Sequence, residues 1–233
     1  MPGGLAIDAS GLQFDPSETR FAPGTTNDWT FRIVRTDGTT VTEFEEAHGE
    51  RSHLIVIRRD LTHFQHRHPT LEPDGTWRVE QFTLPEPGAY RVFVDVVVDG
   101  HPETLGFDVF APGTWEVQAR PGSTRTAITG AYEVTLSPDE IPVRQRSRLT
   151  FEVKRDGAPV STLGEYLGAR GHLVALREGD LAYLHVHPEA TAPDSGRVEF
   201  SAQFPTAGRY RLFFQAKPEQ TLITTSFDLT IDG

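Results

Sequence analysis

The stretch "HFQHRHP", residues 63–69, places three of the chain's nine histidines within six positions. Imidazole nitrogens are good ligands for Zn(II), Cu(II) and non-haem iron, so a cluster of this kind raises the question of a metal site. A single His-x-His in a strand is more often an ordinary polar pair. Here the pattern occurs twice: "SHLIVIRRDLTHFQHRHP" (52–69) matches "GHLVALREGDLAYLHVHP" (171–188) without a gap, 119 residues apart. The histidines shared by both copies are His53, His66 and His68 in the first and His172, His185 and His187 in the second, giving H-x12-H-x-H twice. Neighbouring positions have diverged, Arg67 against Val186 and Gln65 against Leu184, while all six histidines remain. His63 faces Ala182 and His48 faces Leu167 across the repeat, and His101 lies in the turn-like "VDGHPE"; these three are read as ordinary polar residues.

The rest of the composition narrows the chemistry. There are no cysteines and only one methionine, Met1, which leaves imidazole and carboxylate as the ligands for any metal. Among metals for three neutral imidazoles, the affinity order puts Cu(II) first, with Zn(II) and non-haem iron as alternatives. A net charge of −11 with no Lys/Arg cluster argues against nucleic acid or an anionic membrane as partner, and is compatible with a cation. No segment approaches the roughly 20 apolar residues of a membrane-spanning helix. The opening "MPGGLAIDAS" lacks the basic and hydrophobic regions of a signal peptide.

The elements that must position these side chains also repeat. "FRIVRTDGTTV" resembles "FEVKRDGAPV", "LPEPGAYRVFV" resembles "FPTAGRYRLFF", and "GFDVFAPG" resembles "SFDLTIDG". The chain therefore divides into residues 1–112 and 126–233, with 113–125 as a linker or extra edge strand broken by Pro-Gly. Runs such as "DWTFRIVR", "HLIVIRR", "WRVEQFTL", "YRVFVDVVV" and "TLGFDVF" are rich in β-branched and aromatic residues and are separated by Asp-Gly and Pro-Gly turns. About seven strands per unit, with no helical periodicity, predict an all-β chain: two tandem immunoglobulin-like antiparallel β-sandwiches made by internal duplication. Gly-x-Tyr at Tyr90 and Tyr210 predicts a tyrosine corner in each.

A hairpin turning at Arg59–Thr62 would set His53 opposite His68 and Ile55 opposite His66, bringing three imidazoles to one sheet face. Along that face Ile57, Ile55 and His53 run beside Phe64, His66 and His68, with Leu176, Val174, His172 and Tyr183, His185, His187 in the second copy. This grading predicts a cluster at the rim of the apolar core. Candidate partners to orient the rings are Asp60, Glu45, Glu46 and Glu72 in the first unit and Asp180 and Glu189 in the second. A one-residue slip in register would send His53 to the other face.

The paired strings, together with "FPTAGRYRLFF", resemble a group of bacterial proteins with tandem immunoglobulin-like domains, secreted or membrane-anchored and associated with copper or heavy-metal handling. The resemblance spans most of both units and is densest in the second. It implies an extracytoplasmic location, the six histidines as metal ligands, and a metal transporter or other metal-handling protein as partner. Three functions follow as expectations. The first is a non-enzymatic protein that buffers or delivers Cu(II) or Zn(II); no nucleophile constellation or clear general acid or base points to catalysis. The second is a three-histidine metalloenzyme of mononuclear copper, iron or zinc, including a bicupin, for which "GDLAYLHVH" and Glu72 supply part of the motif. The third is a metal-free interaction module.

Overall fold

The computed structural model describes residues 4–47, 49–119, 121–166, 168–189 and 195–233, and for His185 and His187 the backbone only. Its described residues are all strand, turn and loop, arranged as four antiparallel sheets. Contacts divide the chain into two units between Gln118 and Ala119. Each unit is an immunoglobulin-like β-sandwich of two sheets.

In the first unit the strands are β1 (Asp8–Ala9), β2 (Leu12–Pro16), β3 (Asn27–Arg35), β4 (Ser52–Arg58), β5 (Gln65–Arg67), β6 (Thr70–Leu71), β7 (Trp77–Phe82), β8 (Gly88–Val98) and β9 (His101–Ala111). One sheet has the order β1-β2-β3-β7-β6, the other β5-β4-β8-β9. Alternation explains the core between them. β3 turns Trp29, Phe31 and Ile33 inward, and β7 adds Trp77 and Val79. Facing them are Leu54 and Val56 of β4, Val92 and Val94 of β8, and Leu105 and Val109 of β9.

The second unit repeats the plan with β10 (Thr126–Thr129), β11 (Tyr132–Ser137), β12 (Arg146–Arg155), β13 (Ala158–Pro159), β14 (Leu163–Gly164), β15 (Gly171–Arg177), β16 (Tyr183–His185), β17 (His187–Pro188), β18 (Arg197–Gln203), β19 (Gly208–Pro218) and β20 (Ile223–Ile231). β15, paired with β16 and β19, is the counterpart of β4. Phe151, Phe200, Phe214 and Phe227 form the centre of its core, with the Phe151 and Phe214 rings stacked at 4.4 Å.

Both tyrosine corners form. Tyr90 donates its hydroxyl hydrogen to Glu86 O at 2.8 Å and Tyr210 to Thr206 O at 3.0 Å, each four residues back. Both tyrosines are buried, so Tyr90→Phe or Tyr210→Phe strands a carbonyl and is expected to cost about 1 kcal/mol. Urea unfolding of each variant measures this; no change in midpoint would show that the hydroxyls are idle.

The segment after β9 belongs to the first unit as far as Gln118 for a physical reason. Trp115 lies over the Arg58 guanidinium at 5.2 Å, and the Gln118 N–H donates to Asp60 at 3.1 Å. Between Ala111 and Thr126 no strand occurs among the described residues.

One expectation about the histidine-bearing strand is corrected. All seven residues of β4 are buried, but only Leu54 and Val56 enter the sandwich core. His53, Ile55 and Ile57 point to the reverse face of the sheet, with Phe93 beside Ile55 on β8. The histidine cluster is thus on the back of the second sheet and not at the rim of the core. Part of this back face is covered by the N-terminal segment: Arg91 donates to Gly4 O at 2.6 Å, and Gly106 N–H donates to Ala6 O at 2.7 Å. Gly106 must be glycine for that approach, since a Cβ there would fall 1.8 Å from Gly4 O.

Candidate metal centre

The first cluster is assembled by the β4–β5 hairpin. Its register pairs Ile55 with His66, Leu54 with Arg67 and Val56 with Gln65, reached by a three-residue turn closed from Arg58 N–H to Thr62 O plus one extra residue at His63. Alternation then sends Gln65 and Arg67 to the opposite face from His66. Gln65 Nε2 donates to Thr83 O at 2.9 Å, and Arg67 donates to Gln65 Oε1 at 2.9 Å and to Glu80 O at 3.1 Å. These bonds anchor the short β5 against the end of β7 and fix the two histidines beside His53.

The turn itself hides a slip. The gapless alignment equates Asp60 with Gly179, whereas the folded turns use Asp60 and Leu61 as they use Asp180 and Leu181. Arg58 is held by Asp60 and Arg177 by Asp180, and both leucines are fully buried with positive φ, 63° and 59°. The extra residue is absorbed after the turn in the first unit, at His63 (φ 55°), and before it in the second, at Gly179 (φ 100°). Register is therefore the same in both hairpins, with Val174 opposite His185.

One ring nitrogen each of His53, His66 and His68 lies within 4.8 Å of the other two, and among the described residues no fourth His, Asp or Glu joins them. His53 is at the centre: its Nδ1 is 3.1 Å from His66 Nε2 and 3.0 Å from His68 Nε2. Nitrogens bonded tetrahedrally to one metal at about 2.0–2.1 Å stand about 3.3 Å apart, so these separations suit a shared ion. His53 is 7% exposed, and the other two are half-buried.

The rings are oriented from behind. His53 Nε2 lies 3.2 Å from Ala47 O, which places its proton on Nε2 and a lone pair on Nδ1. His68 Nδ1 lies 3.0 Å from Glu50 Oε1, somewhat out of line with the ring, and the carboxylate favours the proton on Nδ1 and the lone pair on Nε2. Burial lowers the His68 pKa from its ordinary 6.5; Glu50 opposes that shift and His53 adds to it. The ring is therefore biased toward the neutral form that binds metal.

Ala47 and Glu50 close a tight turn around Gly49, whose φ is 83°. The second unit has the same turn at Tyr166 and Ala169 around Gly168 (φ 73°), and His172 Nε2 lies 2.7 Å from Tyr166 O. Carbonyls 119 residues apart thus hold the first histidine of each set. Reading side chains alone misses this, because Ala47 and Tyr166 share no side-chain chemistry. The usable signal is the shared glycine, Gly49 and Gly168, four residues before His53 and His172.

In the first unit the carboxylates expected to orient the rings have other partners or are exposed, and in the second the rings of His185 and His187 lie outside the described residues. Asp60 is bound by Arg58, Glu45 accepts from Gly100 N–H, and Glu72 accepts from Arg78. Asp180 pairs with Arg177, Glu189 pairs with Arg148, and Glu46 is exposed. The Arg78 pairing of Glu72, with the immunoglobulin-like topology, removes the basis for a bicupin. His63 Nε2 sits 3.1 Å from Glu86 at the turn end, and His101 is exposed at the start of β9. His48, and the side chains of His185 and His187, lie outside the described residues; the backbone sets His185 in β16 and His187 in β17.

The profile of one family, described as a domain of unknown function, DUF8832, matches residues 7–113 and again 126–233. The chain belongs to the DUF8832 family. Its two DUF8832 domains are the two sandwiches, one histidine set in each. Comparison with curated proteins returns no match. Among solved structures, a Salmonella alpha-2-macroglobulin variant is similar at 14% identity and a TM-score of 0.33, over 99% of this chain and 15% of that one. The Escherichia coli adhesin FdeC is similar at 12% identity and 0.28, over 98% of this chain and 66% of the adhesin. Domains 4 and 5 of the S-layer protein SbsC give 10% and 0.28, over 96% and 98%. No helix of the described residues is long and apolar enough to cross a membrane.

Proposed function

We propose that this protein binds Cu(II) or Zn(II) through one three-histidine site per DUF8832 domain, His53, His66 and His68 in the first and His172, His185 and His187 in the second, to buffer or deliver the metal. One observation carries the reading. The proton of His53 is directed to Ala47 O, which turns the Nδ1 lone pair toward His66 Nε2 at 3.1 Å and His68 Nε2 at 3.0 Å, so that one nitrogen of each ring lies within reach of a single ion. A divalent ion there would be held by all three histidines, and with no thiolate in the chain the donor set favours Cu(II), with Zn(II) next. The resemblance to copper-associated bacterial proteins supports this, and with it a role outside the cytoplasm beside a metal transporter or other metal-handling partner.

The test is element analysis of the isolated protein, followed by titration with Cu(II) and, separately, Zn(II). Two equivalents per chain are expected, with stabilisation of each domain by about 2.7 kcal/mol when free metal is 100 times the dissociation constant of its site. Affinity should fall with acid, because protons compete for the imidazoles; burial lowers the His68 pKa, which makes that ring less prone to the competition. No uptake of either metal, and a melting temperature indifferent to it, would leave the metal-free interaction module in place of this reading. Three histidine ligands would leave a coordination position for water or dioxygen, which also suits a mononuclear metalloenzyme. Exchange of a metal-bound water for azide, followed by EPR of the Cu(II) form, identifies that open position.

A further inference from the structure

Resting on the metal-binding reading, we propose that the two sites are unequal and that the first binds a divalent cation more tightly, because two carboxylates beside it, Glu50 and Asp95, are replaced by Ala169 and Gln215 at the equivalent positions of the second. The shared part of the design is the backbone carbonyl behind the first histidine, Ala47 O for His53 and Tyr166 O for His172. The difference lies in the next layer. Glu50 Oε1 is 3.0 Å from the Nδ1 of His68, on the side of the ring away from the cluster, and makes that imidazole a stronger donor. The position equivalent to Glu50 is Ala169. On β8, Asp95 lies directly opposite His53 and on the same sheet face, 9% exposed, with its Oδ1 held by Thr104 Oγ1 at 2.5 Å. On β19 the residue opposite His172 is Gln215, whose Nε2 bonds Thr224 Oγ1 at 3.1 Å. The hydroxyl partner is kept and the charge is not.

Two negative charges therefore stand beside the first set at positions where the second has a methyl group and an amide. A carboxylate behind a ligating histidine is worth about 10–100-fold in metal affinity, and an anion opposite another adds attraction for a 2+ ion in a poorly hydrated site. The chain would then hold one tight ion and one exchangeable ion. That arrangement suits a protein that retains metal at one domain and hands it on from the other.

The experiment uses full-length chains with one set of histidines removed. The variant His172→Ala/His185→Ala/His187→Ala keeps the first site, and His53→Ala/His66→Ala/His68→Ala keeps the second. Cu(II) affinity is read by competition with a chromophoric chelator, and the ligand set by EPR. The first-site protein is expected to bind about 10–100-fold more tightly. Adding Glu50→Gln and Asp95→Asn to it should bring its affinity to that of the second-site protein, with the melting temperature in EDTA unchanged, since the Glu50 side chain is 40% exposed and Asn retains the Thr104 bond. Ala169→Glu in the second-site protein should tighten it. Equal affinities of the two single-site proteins, or indifference to Glu50→Gln/Asp95→Asn, would overturn the inequality while leaving metal binding intact. Failure of both single-site proteins to bind Cu(II) would overturn the metal reading as well.

Discussion

His53→Ala is expected to weaken Cu(II) binding at the first site by at least ~100-fold, more than the ~10–100-fold that loss of an outer partner costs. His53 is the residue whose Nδ1 lies within 3.1 Å of both other histidines, so its removal leaves His66 and His68 without the atom that links them. It is also the one whose orientation is fixed by a backbone carbonyl, which no neighbouring side chain can replace. The measurement is the copper-induced rise in melting temperature, followed by tryptophan fluorescence. Trp29, Trp77 and Trp115 are the chain's three tryptophans and all lie in the first unit, so this signal reports that unit. The rise should vanish in His53→Ala, while His63→Ala, at the other end of the hairpin against Glu86, should keep it in full. An undiminished rise in His53→Ala would remove this cluster as the site.

The largest expected effect on stability comes from Asp60→Ala, at about 3 kcal/mol. The Arg58 and Asp60 side chains are each 1% exposed and joined by two bonds, Nε to Oδ1 at 3.0 Å and Nη2 to Oδ2 at 2.9 Å. Asp60 also accepts from Thr62 Oγ1 and from the Gln118 N–H, so its loss releases the turn and the segment after β9 together. Arg58 keeps Glu86 and Pro87 O, which holds the cost near the lower end of the usual range for breaking a buried pair. Burial would raise the Asp60 pKa, but the bonds from Arg58, Thr62 and Gln118 outweigh it and hold it at about 2, against 3.8 for an ordinary aspartate. A depressed carboxyl stabilises the fold fully above its unfolded pKa and loses that contribution as pH falls through the folded one. The gap between wild type and Asp60→Ala should therefore be complete above about pH 4 and shrink as pH falls toward 2. Asp180→Ala is the control. Its side chain is 43% exposed and its partner Arg177 22%, so it should cost under ~1 kcal/mol. Equal costs would mean that burial is not what distinguishes the two pairs.

Much of this was written in the chain itself. The duplication follows from strings that match 119 residues apart, and the sandwiches follow from alternating β-branched and aromatic runs between Asp-Gly and Pro-Gly turns. The pairing of Ile55 with His66 is the one expected from an even-numbered loop, although the chain reaches it by a three-residue turn and an extra residue at His63. The tyrosine corners follow from Gly-x-Tyr. What only the tertiary structure decided is where the cluster points and what stands behind it. β4 is buried on both faces, so its hydrophobicity does not say which face meets the core, and the histidines lie on the back of the sheet. The groups holding His53 and His172 are carbonyls of Ala47 and Tyr166, which every residue type possesses and no sequence pattern marks. Glu50 looks like any surface acid until the turn around Gly49 folds it against His68. Side-chain identity and spacing are local properties of the chain. The choice of face and the delivery of a backbone oxygen arise only when distant segments pack.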